Sequence, residues 1–150
     1  MKGSLFSAKA DYACIAMLEL ADRHGDPTPV RLKAIAEGHG IPKRFLVQIL
    51  LQLKGAGLVE STRGASGGYH LARPPAEITL ADIIGVIDRS DHPSDVRDND
   101  NINGAPSALA RAIHGVWSDI LNAQQRLLAS TSLSELLLRA QSAYDLAYQI

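Results

Sequence analysis

The stretch over residues 41–75, IPKRFLVQILLQLKGAGLVESTRGASGGYHLARPP, restricts the fold of this chain more than any other. Across 42–56 the apolar residues Leu46, Ile49, Leu50 and Leu53 recur at helical spacing and share one face, which predicts a helix with a dry side. At 100° per residue the opposite face carries Arg44, Val47, Gln48 and Leu51, with Lys43 and Lys54 beside them. Pro42 suits a first helical position, and Gly55 and Gly57 predict the stop. Two short apolar runs follow, 58–61 and 69–71, joined by a turn over 62–68 whose three glycines let the chain reverse, with Arg63 at its base. Just upstream, Leu32, Ile35 and Ala36 mark a shorter amphipathic helix that ends near Gly38 and Gly40.

Helix, helix and hairpin in that order predict a winged helix-turn-helix, whose partner is double-stranded DNA. A helix with a cationic outer face is by itself a common solvated surface, and glycine turns occur in every fold. The order of the elements carries the inference, because local and global cues agree. In the major groove Arg reads guanine and Gln reads adenine, while the wing is able to carry Arg63 into the adjacent minor groove. Lys9 and Lys33 are candidate phosphate contacts.

At these residues the sequence resembles the Rrf family of bacterial winged-helix transcription regulators. KADYACIAMLELA over 9–21, IPKRFLVQILLQLKGAGL over 41–58, RGASGGYHLARPP over 63–75 and ITLADII over 78–84 carry the likeness, the third being the most diagnostic. The resemblance covers about the first ninety residues closely and the rest in outline. It implies that Pro42, Arg44, Phe45 and Val47 occupy the start of the recognition helix and that Arg63 is the minor-groove residue of the wing; Lys43 and Gln48, from the helical spacing, are further candidate DNA contacts. A glutamate stands at the position of Val47 in a cluster-binding member, and Val47 offers only an apolar contact, so a different operator is expected. Cluster-binding members also hold an iron-sulfur cluster on three cysteines after the winged domain. This chain has none there: Arg111 stands where the third would be, His114 alone remains, and no cofactor is expected.

The formal net charge of −1 conceals an asymmetry. Residues 1–75 carry ten Lys and Arg against six Asp and Glu, and residues 76–150 carry five against ten, so the basic end holds the helix-turn-helix. The chain shows no repeat, signal peptide or apolar run long enough to span a bilayer, which points to a cytoplasmic protein with no membrane partner. Its single cysteine, Cys14, reads as a small buried hydrophobe rather than a ligand or redox thiol.

Three regions are expected: a winged helix-turn-helix domain over 1–88, a flexible acidic loop over 89–106 and a helical dimerisation region over 107–150. Ser7 is a plausible N-cap for a first helix running to about His24, and residues 12–18 are apolar on nearly every side, more than one core face needs. Thr79 caps a helix to about Asp88 that turns Ile83, Ile84 and Ile87 inward. Residues 88–105 then hold five Asp and three Asn and too few apolar side chains to order themselves. The spacing of Asp88, Asp91, His92, Asp95, Asp98 and Asp100 matches no calcium loop, so this segment reads as solvated and no metal site is expected.

From 107 to 130, Leu109, Ile113, Val116, Trp117, Ile120, Leu127 and Leu128 form a helical stripe with almost no charge. A symmetric partner is the economical cover for it, and in the family the long helix is the dimer interface. Ser132 and Glu135 read as a capping box opening a last helix, with Leu136, Leu137, Ala140, Tyr144 and Ala147 on its apolar side. The fold class is thus mainly α with a small β-hairpin wing and a long C-terminal helix. The function expected is a homodimeric DNA-binding regulator, with repression as its expected sense, a palindromic operator, and a small molecule or partner protein as effector. The alternative is a protein-interaction module on the same fold. An enzyme is not expected, since nucleophile elbow, phosphate loop, zinc-ligand pair and paired carboxylates are all missing.

Overall fold

The computed structural model describes residues 6–89 and 107–148. Among the described residues, six α-helices and one hairpin run in the order α1 (Ala8–Asp22), α2 (Leu32–His39), α3 (Lys43–Gly55), β1 (Val59–Thr62), β2 (Gly68–Leu71), α4 (Leu80–Arg89), α5 (Ala108–Ser130) and α6 (Leu133–Tyr148). The rest of the expected acidic loop, 90–106, with Asp91, His92, Asp95, Asp98 and Asp100, lies outside the described residues.

Helix α1 is the centre of the molecule. Small residues Ala10, Ala13 and Ala16 let neighbours approach closely, and Met17 and Leu20 fill the space between them; all five are buried. Ser7 caps it, accepting a hydrogen bond from the Ala10 amide at 3.1 Å. It ends at Asp22, two residues before the expected His24, because the chain turns off through Arg23. α1 packs against α3, α4, β2 and the start of α6. The excess of apolar surface around residues 12–18 is thus met in part by α6 of the same chain, whose Leu133 is fully buried in the common core.

α2 buries Ile35 and Ala36, and α3 buries Leu46, Ile49, Leu50 and Leu53. The start of α3 departs from expectation by one residue. Pro42 has an extended ψ of 129° and is the N-cap, not the first helical residue. Its ring fixes φ in a range compatible with either place, and Pro42 O then accepts from the Leu46 amide at 3.1 Å. The helix ends after Gly55, and it is Gly57, at φ 80°, that supplies the left-handed turn into β1.

The hairpin pairs antiparallel, Val59 with Leu71 through Thr62 with Gly68, each strand displaced by about one residue from its expected limits. An isolated bridge adds Val30 to the far side of β2: Val30 and Tyr69 exchange backbone hydrogen bonds of 2.9 and 2.8 Å. This bridge was not legible as a strand, since a single residue carries no periodicity. α4 opens on a reciprocal cap, with Thr79 Oγ1 accepting from the Asp82 amide and the Asp82 carboxylate accepting from the Thr79 amide. It buries Ile83 and Ile87 fully, whereas Ile84, expected inward as well, is only half-buried. The cap of α6 is one-sided. Ser132 Oγ accepts from the Glu135 amide, while the Glu135 carboxylate pairs forward with Arg139 at 3.0 Å instead of returning to Ser132.

Helix α5, 23 residues long, differs from all of these in having no buried residue. Its last turn is fixed to the domain through Thr131, whose carbonyl accepts from the Leu80 amide at 3.0 Å, and through Leu133, whose amide donates to Ile78 O at 2.9 Å. Ahead of that turn Ala110 and Gln124 are half-buried and the other residues of the helix are exposed.

Candidate nucleic-acid interface

Burying Leu46, Ile49, Leu50 and Leu53 settles which side of α3 faces out. Lys43, Arg44, Val47, Gln48, Leu51 and Lys54 are all exposed, as the helical spacing predicts. Phe45 and Val47 are each 40% exposed and Leu51 59%, so the outer face mixes cations with apolar groups. The Arg44 guanidinium lies over the Phe45 ring, 5.2 Å from its centroid, which restrains a flexible cation at the helix start. Pro42 is exposed beside them. This combination presents hydrogen-bond donors for guanine, an amide for adenine and apolar contacts for thymine methyl groups along one helix face.

The wing stands on backbone geometry that only glycine allows. A Cβ on Gly67 would lie 2.1 Å from the Thr62 carbonyl oxygen, so the chain doubles back in a space with no room for a side chain. Arg63 is exposed where β1 leaves the sheet. A residue that the sequence reading missed holds the other side: Arg31, at the N-cap of α2, donates from its guanidinium to the carbonyl of Ala65 at the wing tip. With the Val30 bridge, this ties the wing to the helix-turn-helix. Nothing in the spacing of Arg31 signals the contact, since 34 residues separate the partners.

The two further lysines stand differently. Lys33 is exposed on α2 and lies 3.9 Å from Glu37, a loose surface pair that leaves the ammonium accessible. Lys9 is half-buried in the first turn of α1 and is engaged within the chain. Behind the hairpin, Glu60 and His70 face each other across the strands at 2.9 Å.

On α5, Leu109, Ile113, Val116, Trp117, Ile120 and Leu127 are all exposed, Leu109 at 84% and Trp117 at 57%. Leu121 and Leu138 add to the uncovered apolar surface. On α6 only the first turns pack, and Ala140, Tyr144 and Ala147 face out.

Comparison with known proteins agrees with this geometry. The model of the Rrf2 family, described as an iron-dependent transcriptional regulator, matches residues 6–139. The transcriptional regulator CymR of Bacillus subtilis is 36% identical over 130 residues, which is 87% of this chain and 87% of that one. The structure of IscR from T. potens superposes with a TM-score of 0.77 at 35% identity, covering 94% of this chain and 91% of that chain. The structure of CymR from B. subtilis, titled the global cysteine regulator, has a TM-score of 0.72 at 36% identity and covers 89% of this chain and 96% of that one.

The iron in the family description requires donors, and a cluster requires several thiolates. The chain has one cysteine. Cys14, expected as a buried side chain, is half-buried, and desolvation in α1 pushes its thiol up to about 12, with the Asp11 and Asp88 carboxylates adding to the effect, so it stays protonated and a poor ligand. His114 is exposed on α5. These residues do not fit an iron-sulfur cluster.

Proposed function

The chain belongs to the Rrf2 family of DNA-binding transcriptional regulators, and on that premise we propose that it acts as a homodimeric, cytoplasmic repressor that reads a palindromic operator without an iron-sulfur cluster. The observation that carries this reading is the outer face of α3, where Lys43, Arg44, Phe45, Val47 and Gln48 are exposed on a helix whose other side is locked into the core. The start of the helix enters the major groove, where Arg44 and Gln48 contact base edges and Val47 meets a thymine methyl. Arg63 enters the minor groove beside it, on a wing held in place by Arg31, Lys9 and Lys33 serve the phosphate backbone, and Pro42 makes apolar contact at the start of the recognition helix.

Dimerisation follows from α5. A helix of this length with no buried residue leaves a large apolar area in water, and a second copy of the same stripe covers it. Leu109, Ile113, Val116, Trp117, Ile120 and Leu127 form that interface. Two recognition helices related by a twofold axis turn a weak half-site into a specific operator.

Selection of random duplex DNA with the purified protein, followed by titration of the selected sequence at several salt concentrations, tests the proposal. The expected result is a palindrome bound tightly, with an affinity that falls steeply as salt rises. Weak binding without sequence preference would instead favour a regulator that needs a partner protein. The Arg63→Ala variant should lose affinity mainly on operators with A/T-rich flanks, where the minor groove is narrow.

A further inference from the structure

A cavity of about 510 Å³ opens between α1, the last turn of α2 and α6. Its apolar wall is made by Ile15, Leu18, Leu137 and Ala140, and its polar side by Glu19 and Asp22, with His39 and Tyr144 at the edges and no lysine or arginine in the lining. The volume suits a small organic molecule. The two carboxylates differ in what already satisfies them. Glu19 accepts from Arg23 at 3.4 Å and faces His39 at 3.3 Å, whereas Asp22 has no ion pair or side-chain hydrogen bond among the described residues. Asp22 is exposed at the rim and Glu19 largely covered, and an apolar hollow bordered by carboxylates with no lysine or arginine in its lining is complementary to an amine carrying an apolar body.

We infer that this cavity is an effector site for a small organic cation, a protonated amine with an aromatic or alicyclic body. The ammonium sits against Asp22 and Glu19, and the apolar body lies between α1 and α6. The site has a direct route to the DNA-binding face. His39 is the last residue of α2, and only Gly40, Ile41 and Pro42 separate it from α3. An ammonium that takes Glu19 displaces His39, which removes a side-chain tie between α1 and the turn of the helix-turn-helix. Binding therefore favours an arrangement of α2 and α3 other than the operator-bound one, and operator and amine oppose each other. This regulatory role rests on the operator-binding reading above; the binding site itself does not.

Calorimetric titration of the full chain without DNA separates the two. The probe is phenethylamine, with phenethyl alcohol as the neutral isostere and phenylacetate as the anion. Saturable binding of the amine with a Kd at or below about 1 mM is expected, with the alcohol and the acid at least about tenfold weaker. Asp22→Asn should weaken the amine about tenfold, and Ala140→Phe, which fills the hollow from an exposed position, should abolish binding. Equal binding of amine and alcohol, no saturable heat with the amine, or amine affinity unchanged in both variants would overturn the site. In a second titration the amine should lower affinity for the selected operator in the parent, and in Asp22→Asn only at about tenfold higher amine concentration. An amine that binds as expected yet leaves operator affinity unchanged overturns the coupling. Amine binding by a protein that selects no operator would support the site and count against the DNA reading alone.

Discussion

Helices α3 and α5 both display exposed apolar residues, and they do so for opposite reasons. In α3, four of thirteen residues are buried, and Phe45, Val47 and Leu51 are what remains outside after the core has taken its face. In α5, none of twenty-three residues is buried, and of its stripe only Leu128 is half-buried while the rest is exposed. The first helix is oriented by its own chain and can spend its outer face on DNA. Among the described residues the second has little to lie on over most of its length, and the proposed dimer is what would cover it. Their ends differ as well: α3 begins without a side-chain cap, while α5 begins at Ser107, whose hydroxyl accepts from the Ala110 amide at 3.1 Å.

The contrast is open to test from both sides. The largest effect should come from Ile120→Asp, which puts a charge in the centre of the proposed interface, twice per dimer. Burying an unpaired charge costs about 3–5 kcal/mol, so light scattering should find a monomer at concentrations where the parent is a dimer. A variant that keeps the dimer mass would mean that α5 is covered in some other way. Leu50→Ala should act on folding instead, lowering stability by about 2–5 kcal/mol in urea titrations followed by circular dichroism. Dimer dissociation without loss of protomer stability in the first variant, and loss of stability in the second, would sharpen the division between the helices.

Smaller effects separate recognition from support. Arg44→Ala should cost about 1–3 kcal/mol in operator binding and relax preference at one base pair, as read by competition with operators changed one position at a time. Uniform weakening across all those sequences would make Arg44 a phosphate contact. Ser107→Ala should cost about 1 kcal/mol, seen as faster amide exchange in the first turn of α5 and not in α3. Equal exchange in parent and variant would show that the first turn is held by packing after all.

Much of the architecture was legible in the chain because it is written in local patterns. The 3.6-residue spacing of Leu46, Ile49, Leu50 and Leu53, the Ser7 and Thr79 caps and the glycines after Arg63 each act within a few residues, and each led to the element found there. Errors arose where a choice was nearly balanced locally or decided at a distance. Pro42 fits two adjacent positions equally well, and Glu135 had an alternative cationic partner in Arg139 one turn on. The outer face of α3 was read correctly, whereas Arg31 was missed, because its contact with Ala65 exists only once the wing has folded back.

By itself, the amino-acid sequence determined the family, the order of helices and hairpin, and which side of α3 is dry, since periodicity and turn chemistry are short-range properties of the chain. Tertiary structure decided the rest. It placed Leu133 in the core beneath α1, tied the wing to Arg31 and Val30, and opened a cavity where residues 15–22, His39 and α6 meet. Those contacts join segments far apart in the sequence, and no local pattern records which distant segment a side chain will touch until the core has brought them together.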